Sequence, residues 1–259
     1  MITNIEQEVD NIVCWIKKYI EKAEANGVVV GNSGGKDSAT VIALITKAIG
    51  KEKVITIAMP CNSIDKDLED AKAVSTKFEV PMLEVELTNV YNELEKVVNN
   101  ELVNKNIVDE ISEEGKINIK PRLRMTTLYS VAQTLNYLVA GTGNKCETFV
   151  GYTTKWGDSA SDFNPIANYT VEEVIQIGKY LGVPEQVIKK APNDGLGGKT
   201  DEEKMGVTYK QISEYIETNK TDEEAMRKIE AMNKKSEHKR NPIPVYKRDD
   251  WKFVALRLD

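Results

Sequence analysis

A glycine-rich segment near the start of the chain contains residue types that bind a phosphate chain. Residues 31–38 read GNSGGKDS and follow the short β-branched run Val28–Val30. Because Gly34 and Gly35 have no Cβ, their backbone N–H groups can approach phosphate oxygens closely, and the start of a following helix also attracts an anion. The alternative is an ordinary glycine-serine turn that caps a helix.

The polar side chains of this segment fit the same chemistry. The hydroxyls of Ser33 and Ser38 are hydrogen-bond donors, and Asp37 offers a hard oxygen ligand for Mg²⁺ beside the phosphates. The segment does not have the spacing of a Walker loop, because Lys36 lies inside it.

The segment lies between a predicted strand and a predicted helix, and this alternation continues through the first half of the chain. Apolar runs predict buried strands at 27–31, 53–59, 81–87 and 137–141, and helical spacing predicts helices at 38–49, 65–78, 90–102 and 123–134. Capping-box spacing at Thr170, Thr208 and Thr221 predicts later helices. We predict one domain over residues 1–259, an α/β fold with a doubly wound parallel sheet and helices on both faces.

An amphipathic helix precedes the first strand. Its apolar stripe consists of Ile5, Val9, Ile12, Ile16 and Ile20. A subunit interface and the core of a monomer would both produce such a stripe.

Composition excludes several kinds of site and partner. His238 is the only histidine, which leaves no material for histidine-based triads or multi-histidine metal centres. The three cysteines form no CxxC pattern, which excludes a disulfide framework and favours a reducing cytoplasm. The net charge of −6 argues against a nucleic-acid partner, and no apolar stretch is long enough to span a membrane.

The SGGKDS segment resembles the pyrophosphate loop of the N-type ATP pyrophosphatases, which cleave ATP between its α and β phosphates and adenylate a carboxylate or carbonyl oxygen. Motifs in the second half are similar to those of one family, the ammonia-dependent NAD synthetases. They are RxRM at 122–125, GTxxxxE at 141–147, TKWGD at 154–158, DxxP at 162–165 and SEHKR at 236–240. Together with the loop they extend from residue 28 to residue 246.

The resemblance implies roles for particular residues. ATP contacts are expected at Gly31, Asn32, Ser33, Gly34, Gly35, Lys36, Asp37, Ser38, Thr142 and Asn193, and Mg²⁺ ligands at Asp37 and Glu147. Nicotinic acid adenine dinucleotide (deamido-NAD) would contact Arg122, Lys155, Asp162, His238 and Lys239. Asp158 matches the aspartate that binds ammonium and takes its proton. From the residues alone, the basic side chains could also be solvated charges on the surface, and the aspartates could also be ordinary turn residues.

The sequence departs from the family pattern at two places. Val171 stands where the family has an ATP-contacting lysine, so that contact is either lost or supplied from elsewhere, with Lys199 and Lys204 as candidates. The glycine-rich stretch 192–206 is expected to be either a mobile lid over the intermediate or an ordinary surface loop.

The resemblance implies an enzyme of the adenine nucleotide alpha hydrolase type that uses ATP and Mg²⁺ to amidate deamido-NAD with free ammonia. The products would be NAD, AMP and pyrophosphate, formed through an adenylate. A cytoplasmic homodimer is expected, with the dinucleotide site across its interface. Two alternatives stay open: another pyrophosphate-loop enzyme, such as a GMP synthetase-like amidotransferase or a tRNA thiolase, and an ATP-binding module without turnover.

Overall fold

The computed structural model describes residues 1–63, 65–190 and 200–246. Asn193, Lys199 and most of the predicted lid therefore lie outside the described residues. No helix within the described ranges combines the length and the apolar character that a membrane span requires.

Four parallel strands form the described sheet, and their order contains a switch point. The strands are β1 Gly27–Gly31, β2 Val54–Ala58, β3 Met82–Glu84 and β4 Tyr137–Ala140, in the order β3-β2-β1-β4. The chain therefore moves outward on one side of β1 and returns on its other side. In open α/β sheets, ligands bind where the order reverses, beyond the carboxyl ends of the strands.

Twelve α-helices lie within the described residues. They are α1 Ile5–Lys22, α2 Lys36–Ile49, α3 Asp65–Lys77, α4 Thr88–Asn104, α5 Glu113–Leu135, α6 Lys145–Val150, α7 Val171–Tyr180, α8 Glu185–Ile188, α9 Asp201–Met205, α10 Tyr209–Thr218, α11 Glu223–Lys235 and α12 Glu237–Arg240.

Helices cover both faces of the sheet, as the sequence predicts. Val28 and Val30 point to the face covered by α1, α2 and α7, and Val29 points to the face covered by α5. This alternation follows from the two-residue period of a strand. The stripe of α1 packs mainly into the first of these cores, with Val9 and Ile16 fully buried, so it belongs to the interior of the subunit.

A separate apolar cluster packs α6, α10 and α11 together, and α12 follows α11 directly in the chain. Ser236, at the start of α12, donates a hydrogen bond to the carbonyl oxygen of Val150 at 3.2 Å. Gly151 has a φ of +69°, and a Cβ there would lie 2.0 Å from the Ser236 Cβ. Glycine therefore allows the SEHKR motif to approach the end of α6 closely.

Several predicted boundaries were wrong. Helix α2 begins at Lys36, inside the predicted loop, and β3 ends at Glu84 rather than residue 87. Helix α5 begins ten residues before its predicted start of 123, because Ser112 caps it by accepting a hydrogen bond from the Gly115 N–H at 3.1 Å.

The predicted cap of α11 was also wrong. Asp222 takes this position rather than Thr221, and its carboxylate accepts a hydrogen bond from the Ala225 N–H at 2.9 Å. A charged acceptor at this position also interacts favourably with the helix dipole.

Candidate active site

A cavity of about 640 Å³ opens at the carboxyl ends of β1, β2 and β4. Its wall combines the loop after β1 with the loop after β4, which are neighbours because β1 pairs with both β2 and β4. The switch point of the sheet therefore brings the segment 31–38 and the GTxxxxE motif to one cavity. Thr142 lies in this wall.

The segment 31–38, which we call the phosphate loop, has a compact polar structure. Gly35 is the N-cap of α2 with no side chain to bond, so the first N–H groups of that helix have no capping side chain. The Ser33 Oγ and Ser38 Oγ atoms lie 3.0 Å apart, and the Gly35 N–H donates to the Ser33 Oγ at 3.2 Å. This arrangement can receive the oxygens of a phosphate chain.

The phosphate loop is attached to α3. The Asn32 side chain donates to the Ala71 carbonyl oxygen at 2.8 Å and accepts from the Gly34 N–H at 3.2 Å. Gly34 has a φ of +69°, and a Cβ there would lie 2.3 Å from the Asp67 carbonyl oxygen. Contact with the first two turns of α3 thus sets the shape of the loop, and only a glycine permits this contact at position 34.

Lys190 strengthens this attachment, and sequence reasoning missed it. Its Nζ lies 2.8 Å from carboxylate oxygens of both Asp67 and Asp70, and 3.5 Å from the carbonyl oxygen of Gly34. Asp70 is buried, so an unpaired charge there would be costly. The sequence offers only a weak signal of this pair, an aspartate on the buried side of an amphipathic helix.

Asp37 and Glu147 form a pair of half-buried carboxylates in the cavity wall. Burial raises the pKa of Asp37. Burial and, secondly, the charge of Asp37 raise the pKa of Glu147 well above its usual range. Lys36, whose Nζ lies 3.9 Å from an Asp37 oxygen, lowers both pKa values only in part. The charge of Asp37 therefore acts on Glu147, and hydrogen bonds from Asn144 together with the charge of Lys36 offset the cost of the pair only in part.

This pair fits a magnesium ion that also binds ATP phosphates. Mg²⁺ prefers oxygen ligands and is usually held by one or two carboxylates together with substrate phosphates and water. Within the described ranges, no group of three or more His, Cys, Asp or Glu side chains forms a closed metal cage. The open two-carboxylate arrangement beside the phosphate loop agrees with a metal that arrives with the nucleotide.

Asp158 and Lys239 lie in the wall of the same cavity. The Asp158 carboxylate accepts from the Thr154 N–H at 2.7 Å. Lys239 donates to the carbonyl oxygens of Gly151 at 2.8 Å and Thr153 at 2.5 Å. Desolvation raises the pKa of Asp158 and lowers the pKa of Lys239. The Asp158 side chain nevertheless remains exposed to water in the open cavity.

Three other predicted dinucleotide contacts form a chain at the surface, outside the cavity wall. The Arg122 Nε donates to the Lys155 carbonyl oxygen at 3.3 Å, and the Lys155 Nζ donates to the His238 carbonyl oxygen at 2.8 Å. Lys155 also lies over the ring of Trp156, 5.5 Å from its centroid. Arg122 and His238 are exposed. The structure therefore brings together cations from three motifs that are far apart in the sequence.

Asp162 lies apart from these residues and outside the cavity wall. Its carboxylate accepts from the Val139 N–H at 2.7 Å and from the Tyr129 hydroxyl at 3.1 Å. Its carbonyl oxygen accepts from the Tyr19 hydroxyl at 2.7 Å. In this structure the carboxylate links β4 to α5.

Tyr209 and Asp201 also line the cavity, and neither was found from the sequence. Val171 is buried in the apolar cluster with Tyr209, whose ring lines the cavity. Burial and then the Glu147 charge raise the pKa of Tyr209, whose hydroxyl donates to the Asp201 carboxylate at 3.4 Å. Asp201 and Lys204 of α9 also line the cavity, and Lys204 stays the described candidate for the cation missing at Val171.

The parallel sheet, its switch point and the phosphate loop define a protein of the adenine nucleotide alpha hydrolase type. The NAD synthase family model matches residues 8–243. An NH(3)-dependent NAD(+) synthetase of Carboxydothermus hydrogenoformans is 44% identical over 241 residues, which cover 93% of this chain and 97% of that protein. The chain belongs to the NAD synthase family.

Solved structures agree with this membership. An NMN synthetase from Francisella tularensis is similar with a TM-score of 0.86 and 31% identity, covering 95% of this chain and 99% of that one. An NH3-dependent NAD synthetase from Campylobacter jejuni, solved with nitrate, gives a TM-score of 0.76 at 26% identity, covering 95% and 100%. These comparisons favour the NAD synthetase interpretation over a GMP synthetase-like enzyme, a tRNA thiolase or an ATP-binding module.

Replacing Glu147 by Gln tests the electrostatic cost of the acid pair. Gln keeps an oxygen that can accept from the Asn144 N–H and removes one of two neighbouring negative charges. We expect the melting temperature of the metal-free protein to rise by about 2–4 °C at neutral pH, as for a gain of roughly 1 kcal/mol, while turnover falls by about 100-fold or more. Thermal unfolding with EDTA and a steady-state assay measure the two effects.

The pH dependence of the melting temperature provides a second test of the acid pair. Because the folded state raises the pKa of Glu147, the wild-type protein becomes more stable as pH falls through that folded value. Glu147→Gln removes this gain. Glu203→Gln is the matched control, since Glu203 has the same capping-box position on α9, and it should produce no rise. A lower melting temperature for Glu147→Gln, with the wild-type pH profile retained, would contradict the assignment.

Proposed function

We propose that this chain amidates a nicotinic acid nucleotide with ammonia at the expense of ATP, and that the substrate is deamido-NAD. The products are NAD, AMP and pyrophosphate. One observation carries the proposal: the phosphate loop, the acid pair and Asp158 all line one cavity. Groups suited to activate a carboxylate therefore lie in the same cavity as a group suited to deliver an amine.

In the first step the nicotinate carboxylate attacks the α-phosphorus of ATP. An oxygen–phosphorus bond forms, and the bond to the β-phosphate bridging oxygen breaks as pyrophosphate leaves. The N–H groups at the start of α2 and the Ser33 and Ser38 hydroxyls bind the phosphate oxygens. Asp37 and Glu147 would hold Mg²⁺, which neutralises charge on the phosphates when bound. The chain contributes positioning and electrostatic stabilisation.

In the second step ammonia attacks the carbonyl carbon of the adenylate and AMP leaves. Ammonium predominates at neutral pH, so a base must take a proton before the attack. Asp158 is our candidate, because its carboxylate faces the cavity and the Thr154 N–H fixes its orientation. Its raised pKa strengthens it as a base relative to an ordinary aspartate.

The surface cations supply charge for an anionic dinucleotide. Arg122 contacts Lys155, Lys155 contacts His238, and Lys239 of the same α12 reaches into the cavity wall. A guanidinium can bind a phosphate or carboxylate through two parallel hydrogen bonds. The dinucleotide would therefore extend from the cavity toward this exposed face.

A mononucleotide is the second candidate substrate. The Francisella tularensis protein that resembles this chain at a TM-score of 0.86 is titled an NMN synthetase, and an amide of that kind would be made from the acid mononucleotide. The curated relatives named as NAD(+) synthetases are more similar in sequence, at 38–44% identity, and they favour the dinucleotide.

A pyrophosphate-release assay with ATP and Mg²⁺ tests both candidates. Deamido-NAD, nicotinic acid mononucleotide and XMP are compared, each with and without ammonium. We expect kcat/KM for deamido-NAD to exceed that for the mononucleotide by about 10-fold or more, a difference of roughly 1.4 kcal/mol, with the amide formed only when ammonium is present. The reverse preference would support the mononucleotide. No release with either nucleotide would refute the proposal.

Asp158→Asn separates the two half-reactions in the same assay. Asn keeps an oxygen for the Thr154 N–H but cannot take a proton from ammonium. Amide formation should fall by about 100-fold or more, whereas exchange of labelled pyrophosphate into ATP in the presence of deamido-NAD should stay close to the wild-type rate.

We further propose that two copies of the chain form a dimer through α4. Val90, Leu94 and Val97 form one stripe of this helix, and they are 52%, 41% and 52% exposed. An exposed apolar stripe of this kind indicates an interaction site. The resemblance to homodimeric enzymes and the exposed position of the dinucleotide cations support a second copy as the partner.

Leu94→Lys tests the dimer. A charge in the middle of the stripe would be desolvated on association, so we expect sedimentation velocity to give the monomer mass at micromolar concentration. Tyr180→Lys, at a side chain 45% exposed on α7, should keep the dimer mass. A wild-type monomer, or an unchanged dimer for Leu94→Lys, would refute this interface.

A further inference from the structure

Asn144 links the two elements that carry the acid pair. It lies between β4 and α6 and is only 1% exposed. Because it is buried, its polar groups need hydrogen-bond partners within the protein. Its Oδ1 accepts from the Glu147 N–H at 3.1 Å, and its own N–H donates to the Glu147 Oε2 at 2.9 Å. Its Nδ2 donates to the Asp37 Oδ1 at 3.4 Å.

These contacts fix Glu147 through a capping box and reach Asp37 across the switch point of the sheet. Asp37 is on the first turn of α2, 107 residues away in the sequence. The hydrogen bonds from Asn144 therefore orient both carboxylates, one through the backbone N–H and one through the side-chain amide. The contact with Asp37 also places a partial positive charge beside one member of a like-charged pair.

The chemistry of an amide suits this position. A capping side chain needs an acceptor, which Asn, Asp, Ser and Thr all supply. Contact with the Asp37 carboxylate needs a donor as well, and Asp has none when ionised. Ser and Thr have a donor, but their hydroxyl lies one atom nearer the backbone and is engaged by the cap. Asn alone among these residues has separate acceptor and donor atoms.

We propose that Asn144 is a positioning residue that sets the relative orientation of Asp37 and Glu147 for Mg²⁺. The inference rests on the proposed function, because it assigns the acid pair to the metal. Groups that hydrogen-bond to metal ligands typically change metal affinity or activity by 10–100-fold when they are replaced. Asn144 would act through Asp37 and Glu147 without touching the metal.

Asn144→Ser tests this role because Ser retains the cap and loses the donor to Asp37. The probe is Mn²⁺ bound in the presence of the α,β-methylene analogue of ATP, followed by electron paramagnetic resonance. We expect the Kd for Mn²⁺ to rise by about 10–100-fold. The Mg²⁺ concentration for half-maximal turnover should rise by a similar factor, and kcat should recover at saturating Mg²⁺.

Two further variants separate metal positioning from capping. Asn4→Ser makes the same change at the N-cap of α1, where the Asn4 side chain accepts from the Gln7 N–H at 3.1 Å, and it should leave metal dependence unchanged. Asn144→Thr repeats the test with a second capping residue and guards against a local folding defect of the Ser variant. A role in capping alone would lower the melting temperature of both Asn144 variants with no change in metal dependence.

The outcomes distinguish this inference from the proposed function. If the wild type binds Mn²⁺ with the analogue and both Asn144 variants bind it equally well, Asn144 does not position the pair, and the proposed reaction is unaffected. If the wild type does not bind Mn²⁺ with the analogue, the metal assignment of Asp37 and Glu147 is wrong, and the inference fails with it.

Discussion

The close approach of two carboxylates, Asp37 and Glu147, is the interaction on which the rest of the site depends. Burial and mutual repulsion both oppose it, as the raised pKa of Glu147 indicates. The fold maintains it because the ends of β1 and β4 are adjacent at the switch point, so α2 and α6 begin side by side. Other contacts in the protein must therefore stabilise the arrangement of the two carboxylates. A bound metal ion together with a phosphate chain would relieve their repulsion.

Those other contacts come from elements outside the loop itself. Asn32 and Gly34 hold the phosphate loop against α3, and Lys190 ties the same helix and loop to the end of α8. The position of α12 depends on the approach of Ser236 to Gly151, which brings Lys239 to the cavity. Activation of a carboxylate and capture of an amine are thus supported by separate parts of one fold.

Features of the fold and site that depend on residues close together in the sequence could be predicted, whereas contacts between residues far apart in the sequence could not. Strands β1, β2 and β4 and the stripe of α1 are local patterns of apolar and glycine residues, and the structure has these strands within one residue of their predicted bounds. Lys190 lies 120 residues from Asp70, and Asn144 lies 107 residues from Asp37. No local pattern signals such pairs. Helix α5 begins early because Ser112 supplies a cap for a polar first turn that has no apolar periodicity.

The proposed reaction activates a nicotinate carboxylate by forming a bond between one of its oxygens and the α-phosphorus of ATP. Substrate labelled with ¹⁸O in that carboxylate tests it most directly, with mass spectrometry of the products after turnover with ammonium. We expect one ¹⁸O atom in each AMP and unlabelled pyrophosphate, because the oxygen that attacks phosphorus leaves with AMP. Label in inorganic phosphate with ADP as the nucleotide product, or AMP without label, would contradict activation through an adenylate.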